Sequence, residues 1–251
     1  TSANVHAESF AALTDWPRAS LIEDNAHGLF GRWRGKPLGS FGRFATLSFH
    51  ETKNIVCGEG GALLVHEQRD VERARVLFDK GTNRRAFFLG QVDKYSWRDS
   101  GSSFGLSDIL AGYLYGQLEQ RELIQTKRRT AFERYQHLLA PHADRLGFTL
   151  PVVPDGAEQT YHMFYVLLPD RPTRDGVLKN MHADGINPTF HYVPLHDSEG
   201  GRRFAARPTE CPVTEDVSGR LLRLPFYNNL SPGDSERVVE SFLSALSTEV
   251  T

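Results

Sequence analysis

Ser48-Phe49-His50-Glu51-Thr52-Lys53-Asn54, running on into Gly58-Glu59-Gly60-Gly61, is the stretch on which the reading of this chain turns. Just before the lysine, Phe44-Ala45-Thr46-Leu47-Ser48-Phe49 is rich in aromatic and apolar residues and alternates loosely, as a short buried strand would. After it, Ala62-Leu63-Leu64-Val65 reads as a second strand, with the glycines making the turn between the two. Lys53 then sits in a polar connection between two buried strands, held on rigid supports with its amine left free. An amine that reacts with a carbonyl group needs that arrangement, because it must be positioned and must shed its proton at working pH. The spacing is met equally by a solvated surface lysine beside a glycine-rich turn.

A second piece lies nearer the N-terminus. Leu21-Ile22-Glu23-Asp24-Asn25-Ala26-His27-Gly28 is an apolar strand ending in acids, with a histidine three residues after Asp24. Taken with Lys53, it suggests a pyridoxal 5'-phosphate site. The lysine would hold the cofactor as a Schiff base. A carboxylate beside the pyridine nitrogen would keep that nitrogen protonated and the ring an electron sink. Solvated acids at a strand end and a turn histidine are the plainer account of the same residues.

In order and spacing, these stretches resemble the sugar aminotransferases of the DegT/DnrJ/EryC1/StrS family. Further matches are Lys80-Gly81-Thr82-Asn83-Arg84, Gly90-Gln91-Val92-Asp93-Lys94-Tyr95-Ser96-Trp97-Arg98-Asp99 and Phe190-His191-Tyr192-Val193-Pro194-Leu195-His196. The resemblance runs from about Leu21 to about Leu246. It is nearest to the enterobacterial-common-antigen branch, which makes dTDP-4-amino-4,6-dideoxygalactose from dTDP-4-keto-6-deoxyglucose. It implies an α/β, PLP-dependent transferase fold (aspartate aminotransferase-like, fold type I) with a truncated large domain and a smaller C-terminal α/β domain. Residues 1–125 would be the C-terminal part of the large domain and residues 126–251 the small one. The aspartate strand stands far closer to the start here than in the family. The resemblance therefore implies a fragment or shortened homologue, lacking the phosphate-binding turn and the aromatic residue that stacks on the cofactor.

Residue by residue, the resemblance makes Lys53 the catalytic amine and general acid/base, and Asp24 the partner of the ring nitrogen. His27 is expected against the ring's phenolic oxygen and Ser48 on the cofactor phosphate. Ser103, where many relatives carry asparagine, would reach the phosphate of a neighbouring subunit. Asn83, Lys94 and Trp97 become candidates for cofactor or nucleotide-sugar contacts, and His191, Tyr192 and His196 for contacts at the mouth of the site. The implied reaction takes the amino group of glutamate and delivers it to the C4 ketone of a dTDP-4-keto-6-deoxyhexose, in a homodimer with shared active sites. Two other classes stay open: a non-catalytic homologue acting as a binding or assembly partner, and a nucleotide-sugar-binding module with no need of Lys53.

With 251 residues, a formal net charge of -2 and mixed charges, the chain can bury a sizeable core and gives no reason to expect nucleic acid as a partner. No apolar run is long enough to span a bilayer, and Thr1 to Phe10 lacks the pattern of a secretory signal. Cys57 and Cys211 make no disulfide framework, so a reducing cytoplasm is expected, with Cys57 a small packed thiol. His191 and His196 lack metal-site spacing, and no metal is expected.

The remaining elements are read from periodicity and caps. Phe10 to Trp16 reads as a helix tail closed by Pro17, and residues 31–42 as a loop or short hairpin. A helix from Glu67 stops at Gly81, and an aperiodic polar loop follows to Gly101. Ser107 caps a helix whose apolar stripe is Ile109, Leu110, Tyr113, Leu114 and Leu118. A second helix from Glu122 is expected to end before Pro141, with Lys127, Arg128 and Arg129 on a solvated face. Strands are expected at 161–168 and 186–193 around a helix at 173–183, and a final helix opens at Ser231-Pro232.

Overall fold

The computed structural model describes residues 21–249; the helix tail expected before Pro17 lies outside them. The described chain forms two compact units. One runs to Leu123 and takes in Val153–Thr160; the other comprises Ile124–Val152 and the residues from Tyr161 on.

In the first unit, β1 (Ile22–Asp24) lies parallel to β4 (Phe44–Ser48), and β4 pairs antiparallel with β5 (Gly61–Val65). The register sets Asp24 against Thr46 and Ser48 against Gly61, so Asp24 and Ser48 stand at the carboxyl ends of parallel strands. Between them, β2 (Arg32–Trp33) and β3 (Lys36–Pro37) make the short hairpin. A third strand joins that hairpin from far along the chain: β6 (Ala157–Glu158) pairs antiparallel with β2. This pairing is why Val153–Thr160 belongs to the first unit, although the sequence reading places everything after residue 125 in the second domain. Helix α1 (Gln68–Phe78) follows β5, and Arg43 forks onto Asp70 at its start, with Nε donating at 2.6 Å. The segment from Thr82 is not wholly irregular: Arg84–Phe88 forms the short helix α2. Helix α3 (Asp108–Glu119) begins at Ser107, whose Oγ accepts from the Leu110 N–H at 3.3 Å. Its Ile109 and Tyr113 are 84% and 57% exposed, so the expected stripe is not buried within this unit.

Helix α4 (Arg121–Leu146) leads into the second unit and runs through Pro141. Proline removes one N–H, leaving the His137 carbonyl without its helical donor. Both residues are exposed, which leaves that carbonyl open to solvent, and Leu139 and Leu146 are buried on either side of the proline. Strand β7 (Phe164–Leu167) precedes α5 (Arg171–Ala183), capped by Asp170. Strand β8 is only Thr189–Phe190, shorter than expected, because the chain turns away at His191 toward a 3-10 turn at Leu195–Asp197. Helices α6 (Glu199–Phe204) and α7 (Pro212–Arg220) then return it to β9 (Leu221–Leu224), which takes the centre of the sheet between β7 and β8. Helix α8 (Pro232–Glu249) closes the unit, its Ser231 Oγ accepting from the Asp234 N–H at 3.0 Å.

The core of this unit interleaves Phe132, Tyr135 and Leu139 with Phe164, Val177, Met181, Leu222, Phe242 and Leu246. Phe164 packs 5.0 Å from both Phe132 and Tyr135. The expected solvated face of α4 is corrected at one residue. Lys127 and Arg129 are exposed, but Arg128 is 6% exposed. Its guanidinium donates to the carbonyls of Tyr161 and His162 and, at 2.9 Å, to Asn228 Oδ1, beneath the Phe226 ring. Burial pushes its pKa down to about 10, still charged at neutral pH.

Candidate active site

The turn that carries Lys53 is closed by backbone hydrogen bonds. Phe49 N–H donates to the Gly60 carbonyl, Cys57 N–H to Phe49 and Glu51 N–H to Gly58, each at 2.8 Å, and Lys53 N–H to His50 at 2.9 Å. Phe49, Ile55 and Cys57 are buried beneath it. The glycines are required by geometry. Gly58 has φ +88°, and a Cβ on Gly60 would stand 2.7 Å from the Cys57 sulfur. On the outer side His50 Nδ1 meets Thr52 Oγ1 at 3.0 Å, and its Nε2 lies 3.5 Å from Glu59.

The side chain of Lys53 is half-buried. Burial lowers its pKa below the usual lysine range, and the Asp24 carboxylate pulls it partly back. That coupling brings the end of β1 and the turn after β4 into one electrostatic neighbourhood; burial favours the neutral, nucleophilic form of the amine, and the carboxylate opposes it. Asp24 is exposed, with Oδ1 accepting from the Ala26 N–H at 3.2 Å and the Thr46 hydroxyl at 3.4 Å. The neighbouring Glu23 carboxylate instead accepts the N–H groups of Gly39, Phe41 and Gly42 at 2.6 to 2.8 Å and holds that loop. Ser48 Oγ has only a long contact with the His50 N–H, at 3.5 Å.

Two residues beyond the expected set brace this region. Asn54, next to Lys53, is 8% exposed and donates its Nδ2 to the Thr160 carbonyl. Thr160 in turn donates its hydroxyl to the His27 carbonyl at 2.9 Å. Asn54 lay in the decisive stretch of sequence; Thr160 carried no signal there.

Around the loop of residues 82–105, Asn83 is buried, with Nδ2 donating to the Lys94 carbonyl at 3.0 Å and Oδ1 accepting from the Ser96 N–H at 2.7 Å. Both ends of its amide thus bond the loop backbone. Lys94 is exposed, as is Trp97 at 78%, whose Nε1 donates to the Asp99 carbonyl at 2.6 Å. Ser103 is exposed and bridges Asp79 through its backbone. In the second unit, Tyr192 is exposed, His191 half-buried with its ring 5.2 Å from that of Tyr192, and His196 Nε2 sits 2.9 Å from Glu215 Oε1. Among the described residues no group of three or more His, Cys, Asp or Glu side chains could hold a metal ion, and no helix is long and apolar enough to cross a membrane.

The model of the DegT/DnrJ/EryC1/StrS aminotransferase family matches residues 5–243. The chain belongs to this family. A dTDP-3-amino-3,4,6-trideoxy-alpha-D-glucose transaminase of Micromonospora megalomicea subsp. nigra is 32% identical over 234 residues, which cover 91% of this chain and 59% of that protein. The aminotransferase TlmJ of Streptoalloteichus hindustanus superposes with a TM-score of 0.80 at 26% identity, covering 91% of this chain and 59% of its own. PseC of Helicobacter pylori, an aminotransferase of pseudoaminic acid biosynthesis, gives a TM-score of 0.84 at 22% identity, over 98% of this chain and 65% of its own. The chain thus spans about three fifths of the length of these DegT/DnrJ/EryC1/StrS relatives. Its fold is that of the PLP-dependent transferases.

Proposed function

We propose that this chain acts in a pyridoxal-phosphate-dependent nucleotide-sugar aminotransferase. It would pass the amino group of glutamate to the C4 ketone of a dTDP-4-keto-6-deoxyhexose and yield a dTDP-4-amino-4,6-dideoxyhexose. The observation that carries this reading is the half-buried amine of Lys53, lowered in pKa by burial and acted on by Asp24. The donor set suits the cofactor: an amine that gives up its proton readily, a carboxylate beside it, and a hydroxyl at Ser48 with little else to do.

When bound, pyridoxal phosphate supplies an electron sink that makes the proton beside the transferred nitrogen removable. Lys53 Nζ would hold the cofactor at rest and, once released, would take and return that proton as general acid/base. The Asp24 carboxylate would keep the ring nitrogen protonated, and His27 would hold the phenolic oxygen. Ser48 Oγ would donate to the phosphate, and Ser103 to that of a partner subunit. Lys94, Trp97, His191, Tyr192 and His196 contact the nucleotide sugar or the amino acid, while Asn83 acts indirectly by bracing the loop that presents Lys94. Two copies pair with shared sites, in the cytoplasm; the exposed apolar face of α3 supports the pairing.

The test is the visible spectrum of the purified chain with pyridoxal phosphate, before and after borohydride, beside Lys53→Ala. A band that reduction fixes onto Lys53, absent in the variant, supports the cofactor site; no band at any cofactor concentration overturns it in favour of a non-catalytic homologue. Amination at C3 is a second reading, favoured by the product named for the Micromonospora relative. Incubation with glutamate and dTDP-4-keto or dTDP-3-keto sugars, with the product read by NMR, decides between the two carbons.

A further inference from the structure

The turn that carries Lys53 opens at His50. Lys53 N–H donates to the His50 carbonyl at 2.9 Å, which closes residues 50–53 as a four-residue turn. Inside it, Glu51 N–H crosses to the Gly58 carbonyl at 2.8 Å, and Thr52 N–H donates to the His50 ring at Nδ1, at 3.3 Å. The Thr52 hydroxyl reaches the same nitrogen at 3.0 Å. Each backbone N–H from Glu51 to Lys53 is thus in use, and His50 takes those of Thr52 and Lys53. A side chain that accepts the N–H two residues on is the device by which asparagine and aspartate close turns; here an imidazole fills that place.

The same contacts choose the tautomer. A ring nitrogen that accepts an N–H carries no proton of its own, so Nδ1 is bare, the Thr52 hydroxyl donates to it, and the ring proton stands on Nε2. Nε2 lies 3.5 Å from Glu59 Oε1, on the returning limb of the turn. One neutral tautomer therefore serves both limbs, with a bare nitrogen toward Thr52 and an N–H toward the Glu59 carboxylate. The opposite tautomer would set N–H against N–H at Nδ1 and a lone pair against a carboxylate at Nε2. The Cys57 thiol, donating to the Glu59 carbonyl at 3.3 Å, braces the returning limb from beneath.

Lys53 is the last residue of this turn. Burial of its side chain is the larger of the two influences on its amine, so what keeps the turn closed keeps the amine in the surroundings that lower its pKa. We propose that His50 is a positioning residue for Lys53: its ring, as the neutral Nε2–H tautomer, accepts the Thr52 N–H and so holds the amine in place. The proposal rests on the reading of Lys53 as the reactive amine, and it gives His50 no contact with cofactor or substrate.

The experiment compares the full chain, free of pyridoxal phosphate, with His50→Asn and His50→Phe. Asparagine returns an acceptor to the turn, and phenylalanine keeps a flat ring without one. Neither changes the charge of the accepting tautomer, and Asp24, the charge that acts on Lys53, stays in every arm. The reaction of Lys53 with an amine reagent is followed against pH by peptide mass spectrometry, beside the urea midpoint of each chain. In His50→Phe the profile should move to higher pH by about half a unit or more, an about threefold slower reaction at a given pH below the lysine value, because a loosened turn exposes the amine. His50→Asn should stay near the unaltered chain. A profile unmoved in His50→Phe, whatever its midpoint, leaves His50 a merely structural residue and overturns the proposal, as does an equal displacement in both variants. If His50→Phe fails to fold, the ring nitrogen resonances of His50 in the unaltered chain decide: a bare Nδ1 beside a protonated Nε2 supports the proposal, and the opposite tautomer overturns it. Cofactor is absent from every arm, so failure here leaves the spectral test of Lys53 as it was, and a chain without a cofactor band can still show the displacement.

Discussion

The hydroxyl of Thr160 donates to the carbonyl of His27 at 2.9 Å, across 133 residues of chain. The same residue's carbonyl receives Asn54, the neighbour of Lys53, so a single threonine ties together the two stretches proposed to hold the cofactor. Thr160→Val keeps the shape and removes the hydroxyl. It should cost about 1–2 kcal/mol in urea unfolding with an unchanged slope, and Thr160→Ser should recover most of that. The valine variant should also retain pyridoxal phosphate less well on dialysis. Unchanged stability and retention would show that the bond is incidental.

The opposed influences on Lys53 set a direction for its reactivity. Burial lowers its pKa and Asp24 raises it, so Asp24→Asn removes the raising influence and the pKa falls further. At any pH below the ordinary lysine value, more of the amine is then neutral. The rate at which Lys53 reacts with an amine reagent, followed by peptide mass spectrometry, should rise at lower pH in Asp24→Asn than in the unaltered chain, even as transfer activity falls. A profile displaced to higher pH would contradict the coupling.

Acid should act on the first unit through Asp70. The Arg43 guanidinium, bonded to it, holds its carboxyl below the usual range. A folded-state value below the unfolded one gives stability that is fully present above the unfolded value, about 3.9, and is lost as pH falls through the folded one. Asp70→Asn should therefore flatten the acid limb of a denaturation-midpoint profile and lower the midpoint near neutrality. An acid limb that keeps its slope would assign the loss to other carboxylates.

Arg128 is the buried charge on which the second unit depends. Arg128→Met would leave the Tyr161 and His162 carbonyls and Asn228 Oδ1 without their shared donor, at a cost of about 3 kcal/mol in chemical denaturation. Arg128→Lys should recover only part of this, since one ammonium cannot reproduce the fork. Full recovery by lysine would mean that charge alone matters there.

The legible parts of this chain were local. The β4–turn–β5 unit, Asp24 at a strand end and the caps at Ser107 and Ser231 each announce themselves within a few residues, because turn glycines, alternation and capping hydroxyls act over that range. Arg128 reads as one of three exposed bases because nothing near it reveals that Tyr161, His162 and Asn228 will surround it. Pro141 reads as a stop because proline usually is one, yet the helix runs on, with leucines buried on both sides of it. Strand β9 went unread, although Leu221-Leu222-Arg223-Leu224 holds the centre of its sheet, since a four-residue apolar run after a helix has no period of its own. The partners of Asn83 were equally hidden. Only the fold shows that its amide bonds the backbone of Lys94 and Ser96, residues eleven and thirteen further along.

The return of Val153–Thr160 to the first unit bears on the order in which this protein can mature as it is made. When the lysine turn leaves the ribosome, β2 and β3 have an open edge, and Thr160, which ties His27 to Asn54, has not been synthesised. The whole of α4 must emerge before β6 can fill that edge. The lysine turn is thus braced late in translation, and a nascent chain stalled within α4 would carry Lys53 without the threonine that steadies its surroundings.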